Sequence, residues 1–218
     1  MGVRTSSNWG SGERVEYQGT SPITGFPFVL CCWVDPGASG DGVFELSKNG
    51  SVTNVVLRAN GGSTEWRATA RFNGYTETSK FGGSSSIPAG MNFAGFRMSS
   101  SELDLFFDNQ YTGSPTSHSR TFTTVDEHYI GDSSYGYFDG DGAWFQIYDA
   151  DMTQDQMNDI QYNPYAHPKN LVWSVSALES ASAATDFKDT SNEDLDPDQG
   201  QAVGAGTAQS RVHLYGGG

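Results

Sequence analysis

Two carboxylates that could do acid–base chemistry lie two residues apart in the segment "ELDLFFD". Glu102 and Asp104 would project from the same face of a strand. A retaining glycoside hydrolase needs a nucleophile and an acid about 5–5.5 Å apart, which i, i+2 or i, i+4 neighbours on a strand provide. Here the i+4 position is Phe106, and Asp108 falls in a turn. We therefore interpret the pair as a solvated strand edge and predict no catalytic residues.

The sequence offers no convincing nucleophile either. No serine stands in a nucleophile elbow with histidine and aspartate partners, and no phosphate-cradling glycine loop precedes a helix. The only cysteines, Cys31 and Cys32, are adjacent inside "FPFVLCCWVDP", and neighbouring residues of a strand point to opposite faces. We expect two separate buried thiols, because a disulfide between sequence neighbours would be strained. The protein is therefore predicted not to be an enzyme.

A metal-ligand spacing occurs in "DLDPDQG". Asp194, Asp196 and Asp198 alternate as in a calcium loop, but Pro197 intrudes, the glycine comes one place late, and Ala205 holds the position of the closing glutamate. None of the four histidines falls in a ligand motif with the cysteines. We predict no cofactor, with calcium in this segment left open.

Charge and composition exclude several classes of partner. The chain has 218 residues and a formal net charge of −14, so its surface repels phosphate and gains no counterion release from nucleic acid. No segment approaches the roughly 18 apolar residues of a membrane span, and the start lacks the apolar core of a signal peptide. We expect no nucleic-acid partner, no membrane insertion, and synthesis in a cytosol.

The elements that must position any site are mostly strands. The 27 glycines, the 13% aromatic content and the short apolar runs between turn pairs favour one all-β domain over residues 1–218. In "FPFVLCCWV" both faces are apolar, which predicts a central strand covered on both sides. "TNVVLRA" with "WRATARF" predicts a hairpin, and Asp108-Asn109 predicts the turn of another. We interpret Asp139 and Asp141 in "FDGDG" as a pair of turns.

One short helix is predicted near 153–161. Thr153 and Gln156 have the spacing of a capping box, and Met157 and Ile160 would form the apolar side. Pro164 would end this helix.

Four segments in register resemble the concanavalin A-like, laminin G-type jelly-roll family. They are "FPFVLCCWVDP", "VVLRANGG", "FAGFRMSSSELDLFFDNQYTGS" and "HYIGDSSYGYFDGDGAWFQIYDADMTQDQMNDI". The resemblance implies a jelly-roll β-sandwich. Asn92-Phe93 stands where many relatives carry a Trp-x-His pair, so any role of that pair is not transferable.

The same resemblance bears on the chain's far end. Members often begin with a strand like "LVAYWPL" followed by an acidic loop, and here "LVWSVSAL" and an Asp-rich segment come last. The chain therefore resembles a circular permutant, in which residues 166–218 return as strands that complete a main body of residues 1–165. "RVHLY" is expected to pair beside "LVWSVSAL".

Family members include glycoside hydrolases and many sugar-binding proteins. Aromatic rings stack on the apolar faces of sugars while Asp and Asn side chains bond the hydroxyls. The candidate carbohydrate-binding residues are Tyr75, Tyr135, Tyr137 and Asp139.

Function is predicted from context. Small stand-alone jelly rolls without signal peptide or disulfides resemble bacteriophage structural proteins, so we predict a virion component on the outer surface. It would be a capsid decoration, head-fibre or tail protein that forms a homo-oligomer, contacts other virion proteins and adheres to a cell-surface glycan. The alternative is a stand-alone lectin-like module, and the third hypothesis is a glucanase-like hydrolase.

Overall fold

The structure is a computed structural model. It describes residues 2–4, 7–9, 15–18, 23–40, 42–48, 53–60, 65–72, 78–82, 87–131, 136, 138–176, 199–200 and 212–214. Side chains are described for residues 23–36, 42–48, 53–59, 65–72, 78–82, 87–131, 136, 138, 140–175.

The described elements are almost all strands. Up to residue 81 they are β1 (Gly2–Arg4), β2 (Ser7–Trp9), β3 (Val15–Gln18), β4 (Phe28–Gly40), β5 (Gly42–Ser47), β6 (Asn54–Asn60), β7 (Glu65–Arg71) and β8 (Thr78–Phe81). Then follow β9 (Asn92–Met98), β10 (Glu102–Phe107), β11 (Gln110–Tyr111), β12 (Thr116–Ser117), β13 (Glu127–Ile130), β14 (Phe138–Tyr148), α1 (Gln154–Tyr162), a 3-10 turn (Pro168–Asn170), β15 (Leu171–Ser176), β16 (Gln199–Gly200) and β17 (Val212–Leu214).

These strands form two antiparallel sheets and one separate pair. The eight-stranded sheet has the order β11-β10-β9-β4-β14-β15, with β12 beside β10 and β2 beside β14. The seven-stranded sheet has the order β16-β3-β13-β5-β6-β7-β8. The predicted hairpins are confirmed: β6 pairs with β7, and β10 with β11 through Asp108 and Asn109, whose φ angles of 55° and 63° suit a primed turn.

The main hydrophobic core lies between the two sheets. Phe145 of the eight-stranded sheet meets Phe44 of the seven-stranded sheet edge to face, with ring centroids 5.8 Å apart. Alternate residues of β4 and β6 face this core, as the period of a strand requires. The members from these two strands are Phe28, Leu30, Cys32, Val34, Val55, Leu57 and Ala59.

A second apolar cluster lies on the outer face of the eight-stranded sheet, under α1. Val29 and Cys31 of β4 pack there with Met157 and Ile160 of the helix, so β4 is covered on both sides as predicted.

The capping box is confirmed, because the Thr153 amide donates to Gln156 Oε1 at 2.9 Å and the Gln156 amide donates to Thr153 Oγ1 at 3.3 Å. α1 is the only α-helix in the part of the chain that the structure describes, and no helix there is long and apolar enough to cross a membrane.

The interpretation of "FDGDG" as a pair of turns is wrong. These residues belong to β14, which pairs with β4 through register shifts between Asp139 and Asp141 and again between Gly142 and Trp144. A Cβ at Gly140 would overlap the Asp35 carbonyl oxygen, so this glycine allows a close approach of two backbones. Glycine and aspartate favour turns locally, but the long partner strand β4 provides pairing that overrides this preference.

The C-terminal segment returns to the sandwich, with one difference from the prediction. β15 pairs with β14, and β16 pairs with β3, so both extend the main sheets. β17 pairs with β1 in a two-stranded sheet instead of lying beside β15. A three-residue strand with two apolar side chains has no pattern that selects one partner, so its pairing depends on tertiary placement. The division into residues 1–165 and 166–218 within a single domain, and the circular permutation, stay predictions.

Candidate functional site

The candidate site is built on the outer face of the eight-stranded sheet, where α1 ends. Gln146 and Tyr148 lie two residues apart on β14 and therefore share this face. Gln146 Nε2 donates a hydrogen bond of 2.7 Å to the Pro164 carbonyl oxygen, and the Tyr148 hydroxyl donates one of 3.2 Å to the same atom. The segment of residues 163–167 is thereby fixed to the sheet.

This fixed segment presents Tyr165. Its ring meets Trp144 of β14 edge to face, with centroids 5.4 Å apart and an interplanar angle of 89°. Trp144 is 8% exposed, whereas Tyr165 remains 49% exposed. A largely buried indole therefore supports a half-exposed phenol ring.

The end of α1 is fixed beside the same place. Trp33 of β4 is the cross-strand neighbour of Trp144, and its Nε1 donates a hydrogen bond of 3.1 Å to the Gln161 carbonyl oxygen. The next residue, Tyr162, ends the helix and is 63% exposed. We call Trp144, Tyr162 and Tyr165 the aromatic patch.

Polar groups adjoin the aromatic patch. His167 Nε2 lies 3.2 Å from Asp159 Oδ2, and the Tyr165 amide donates to Asn163 Oδ1 at 3.2 Å. Asp159 precedes Tyr162 by three residues, so both occupy one side of the helix. The patch thus combines exposed ring faces with a carboxylate and an imidazole, groups that bond hydroxyls.

A second polar surface covers the outer face of the seven-stranded sheet. Glu127 Oε2 accepts hydrogen bonds from the Tyr129 hydroxyl at 2.6 Å and from Ser47 Oγ at 3.2 Å. Arg67 donates to Ser79 Oγ at 2.9 Å, and its guanidinium lies 4.5 Å from the ring centroid of Phe81. These side chains form hydrogen bonds and ring contacts with one another, and we interpret the role of this surface as structural.

Comparisons with known structures concern the fold. A native heptameric SAP-like pentraxin from Limulus polyphemus matches with a TM-score of 0.58 at 10% identity, over 74% of this chain and 83% of its own. A candidate carbohydrate-binding protein from Bacteroides ovatus matches with a TM-score of 0.67 at 9% identity, over 99% of this chain and 63% of its own. Mouse laminin α1 chain domains LG4-5 match with a TM-score of 0.55 at 7% identity, over 69% of this chain and 43% of their own.

The fold is a concanavalin A-like jelly roll. No protein-family model matches the sequence, and no curated protein matches it. The jelly roll described here spans less than two thirds of the Bacteroides ovatus and laminin chains. At these identities the likeness establishes architecture, and a site must be argued from its own residues.

The interpretation of Glu102 and Asp104 as a solvated strand edge holds for Glu102 and is wrong for Asp104. Glu102 is exposed, but Asp104 is 2% exposed and lies directly opposite Arg97 on β9, with 3.5 Å between Arg97 Nη2 and Asp104 Oδ2. Burial raises the pKa of the Asp104 carboxyl, and Arg97 offsets part of that rise. Arg97 also lies 3.2 Å from Asp151 and 4.3 Å from the Tyr111 ring centroid. Asp104 is therefore part of a structural cluster beside α1.

The carbohydrate-binding residues predicted from the sequence stay untested. Tyr75, Tyr135 and Tyr137 lie outside the described residues, and so does the side chain of Asp139, whose backbone pairs with Ser39. The Asp-rich calcium segment also lies outside them. Among the described side chains, no three histidine, cysteine, aspartate or glutamate groups converge to hold a metal ion.

Sequence reasoning missed Tyr162 and Tyr165. The available signal was "QYNPYAHP", in which two tyrosines flank the proline that follows a helix. Because a residue just after a helix end usually lies at the surface, a tyrosine on each side of Pro164 could have indicated exposed rings. Their support by Trp144 could not be read from sequence spacing.

Proposed function

We propose that this protein is a non-catalytic carbohydrate-binding jelly roll whose ligand stacks on the aromatic patch. The observation that carries this proposal is the half-exposed Tyr165 ring held against Trp144 by a fixed chain segment. Sugar rings have apolar faces that pack on aromatic rings, while their hydroxyls need nearby polar groups. Asp159 and His167 supply such groups beside the patch.

The fixed geometry favours binding because little ordering is needed. The Pro164 carbonyl oxygen accepts two hydrogen bonds from β14, and Trp33 holds the carbonyl of Gln161. Each side chain that must be immobilised on binding costs about 0.5–1.5 kcal/mol, so a patch fixed beforehand retains more of its contact energy.

The comparisons and the site chemistry support a binding function over catalysis. The Bacteroides ovatus protein is named for carbohydrate binding, and none of the three matched proteins is named as an enzyme. In this chain Asp104 is buried and paired with Arg97, which leaves Glu102 as the accessible carboxylate of the two. Hydrolysis of a glycosidic bond requires two accessible carboxylates.

A single substitution tests the proposal. We expect Tyr165→Ala to weaken binding to the best soluble polysaccharide about five- to tenfold, because the stacking ring is lost. The measurement is affinity electrophoresis across a polysaccharide panel, followed by calorimetry on the best ligand. The matched control is Phe81→Ala, since Phe81 is 45% exposed but lies on the other sheet, and it should change affinity less than about twofold. Absence of any polysaccharide ligand, or equal losses in both variants, would contradict the proposal.

We also propose a setting for this binding function. The protein would be a virion component of a bacteriophage, displayed in several copies on the outer surface as a capsid decoration, head-fibre or tail protein. The charge of −14 favours an outward position, because an outer face gains solubility and colloidal repulsion from acidic groups. Several linked copies would raise the effective concentration of a weak sugar site. The stand-alone lectin-like module remains the alternative, and calcium in the Asp-rich segment remains a prediction.

A further inference from the structure

We infer that the aromatic patch selects glycans that carry positively charged amino groups. This inference rests on the proposed carbohydrate-binding function and adds the charge class of the ligand. It is argued from the acidic side chains that share one side of α1 with Tyr162.

Asp155, Asp159 and Tyr162 form one exposed line along α1, which we call the helix stripe. Their spacing of four and then three residues brings all three to one side of a helix, and all three are exposed. The Asp159 side chain is 64% exposed, so its hydrogen bond to His167 leaves much of the carboxylate accessible. The stripe therefore leads from two carboxylates to the aromatic patch.

Other charged side chains near α1 in the sequence are also mostly acidic. Asp149 is exposed just after β14, and Asp151 precedes α1 with its side chain 54% exposed. The segment of residues 149–169, which carries α1 and Tyr165, contains four aspartates and two basic residues, His167, which is held by Asp159, and Lys169 in the 3-10 turn. Acidic groups thus outnumber basic ones in the segment that carries the patch, in a molecule with a net charge of −14.

Aromatic rings and carboxylates select the same kind of ligand group. An ammonium group is attracted to the face of a tyrosine or tryptophan ring within about 6 Å, and carboxylates beside the ring add charge attraction. A glycan with carboxylate or sulfate groups would meet repulsion at the same place. Charge complementarity therefore favours an amino glycan over neutral and acidic glycans.

The test compares two oligosaccharides with one backbone and different charge. The probes are a hexamer of N,N,N-trimethylglucosamine, whose charge is permanent, and a hexamer of N-acetylglucosamine, measured by calorimetry against the full chain at one pH and low salt. We expect the cationic hexamer to bind about tenfold more tightly. In the variant Asp155→Asn with Asp159→Asn this advantage should fall about fivefold, because the cationic hexamer loses charge attraction that the acetylated hexamer never had, and both amides can still bond hydroxyls.

A matched variant distinguishes charge attraction by the helix stripe from attraction by the acidic molecule as a whole. Glu102→Gln with Asp108→Asn removes two exposed charges on and just after β10, and it should preserve the cationic preference. If both double variants lower the preference equally, attraction by the whole acidic molecule explains it and the inference is overturned. If the acetylated hexamer binds as tightly as the cationic one and Tyr165→Ala weakens both, the inference fails while the carbohydrate-binding function stands. If neither hexamer nor any polysaccharide binds through Tyr165, the proposed function itself fails.

Discussion

At the scale of single residues, burial controls the chemistry of the reactive side chains. Cys31 packs under α1 and Cys32 packs in the main core, so the adjacent thiols lie on opposite faces as predicted, and both are free. Burial raises the pKa of both thiols, which keeps them protonated and unreactive. Asp104 shows that a carboxylate in an alternating strand pattern can be buried when an arginine lies opposite.

His128 gives a prediction about pH at this scale. It is 2% exposed, its ring centroid lies 4.6 Å from that of Trp173, and burial lowers its pKa to about 3. The unfolded chain has a histidine pKa near 6.5, so between these values the unfolded state binds the extra proton. The free energy of unfolding should therefore decrease as pH falls below about 6.5, by about 1.4 kcal/mol per pH unit from this group. Above that pH the imidazole is neutral in both the folded and the unfolded state, so this group does not lower the free energy of unfolding there.

Urea unfolding of parent and variant from pH 7.5 to 4.5 measures this contribution. His128→Phe should reduce the slope below pH 6.5 relative to the parent, whereas Phe81→Ala, which removes an exposed side chain without a titratable group from the same sheet, should not. The imidazole signals of His128 in the folded parent should also not titrate by NMR down to pH 4.5, which tests the claim even if the variant folds poorly. Titration of His128 near pH 6.5 would show that it is accessible to water.

At the scale of elements, β15 shows how a late strand completes the sandwich. Trp173 and Val175 of β15 enter the main core, and the Trp173 ring lies 5.5 Å from that of Phe44 on the facing sheet. On its other side Ser174 Oγ lies 3.4 Å from Gln146 Nε2, the same side chain that fixes the segment bearing Tyr165. β15 therefore supports both the core and the candidate site.

We predict that deletion of residues 169–218 causes aggregation or a large loss of stability. The deletion exposes the edge of β14 and the apolar residues that Trp173 covers. Trp173→Ala alone should cost about 3–5 kcal/mol, as expected for a large side chain in a core. The exposed Lys169→Ala serves as control and should stay within about 0.5 kcal/mol. A truncated protein that melts like the full chain would refute the role assigned to this strand and the permutation hypothesis.

At the scale of the whole molecule, the net charge of −14 bears on the proposed attachment to a particle. For this chain, attachment to a particle would use apolar and hydrogen-bonding contacts, because a surface of one charge gains little from ion pairing with copies of itself.

We predict that the protein is found on the outside of purified virus particles and stays attached at moderately raised salt. Electrostatic attachment would weaken as the screening length falls from about 10 Å at 0.1 M to about 3 Å at 1 M salt, whereas apolar contacts would not. Imaging of labelled particles before and after salt washing gives the measurement. Absence from the particles, or a location inside with the nucleic acid, would support the free lectin-like module instead.

The sequence by itself determined the elements whose signals are local and repeated. The apolar run of β4 with both faces apolar, the capping box of Thr153 and Gln156, and the Asp108-Asn109 turn follow from local signals and were all predicted. The jelly roll was predicted because several such segments occur in a known order. Only the tertiary structure decided the pairing of β17 with β1, the strand conformation of "FDGDG", the burial of Asp104 against Arg97, and the support of Tyr165 by Trp144. Each of these depends on a partner distant in the sequence, whose position is fixed by packing of the whole core and by no local preference.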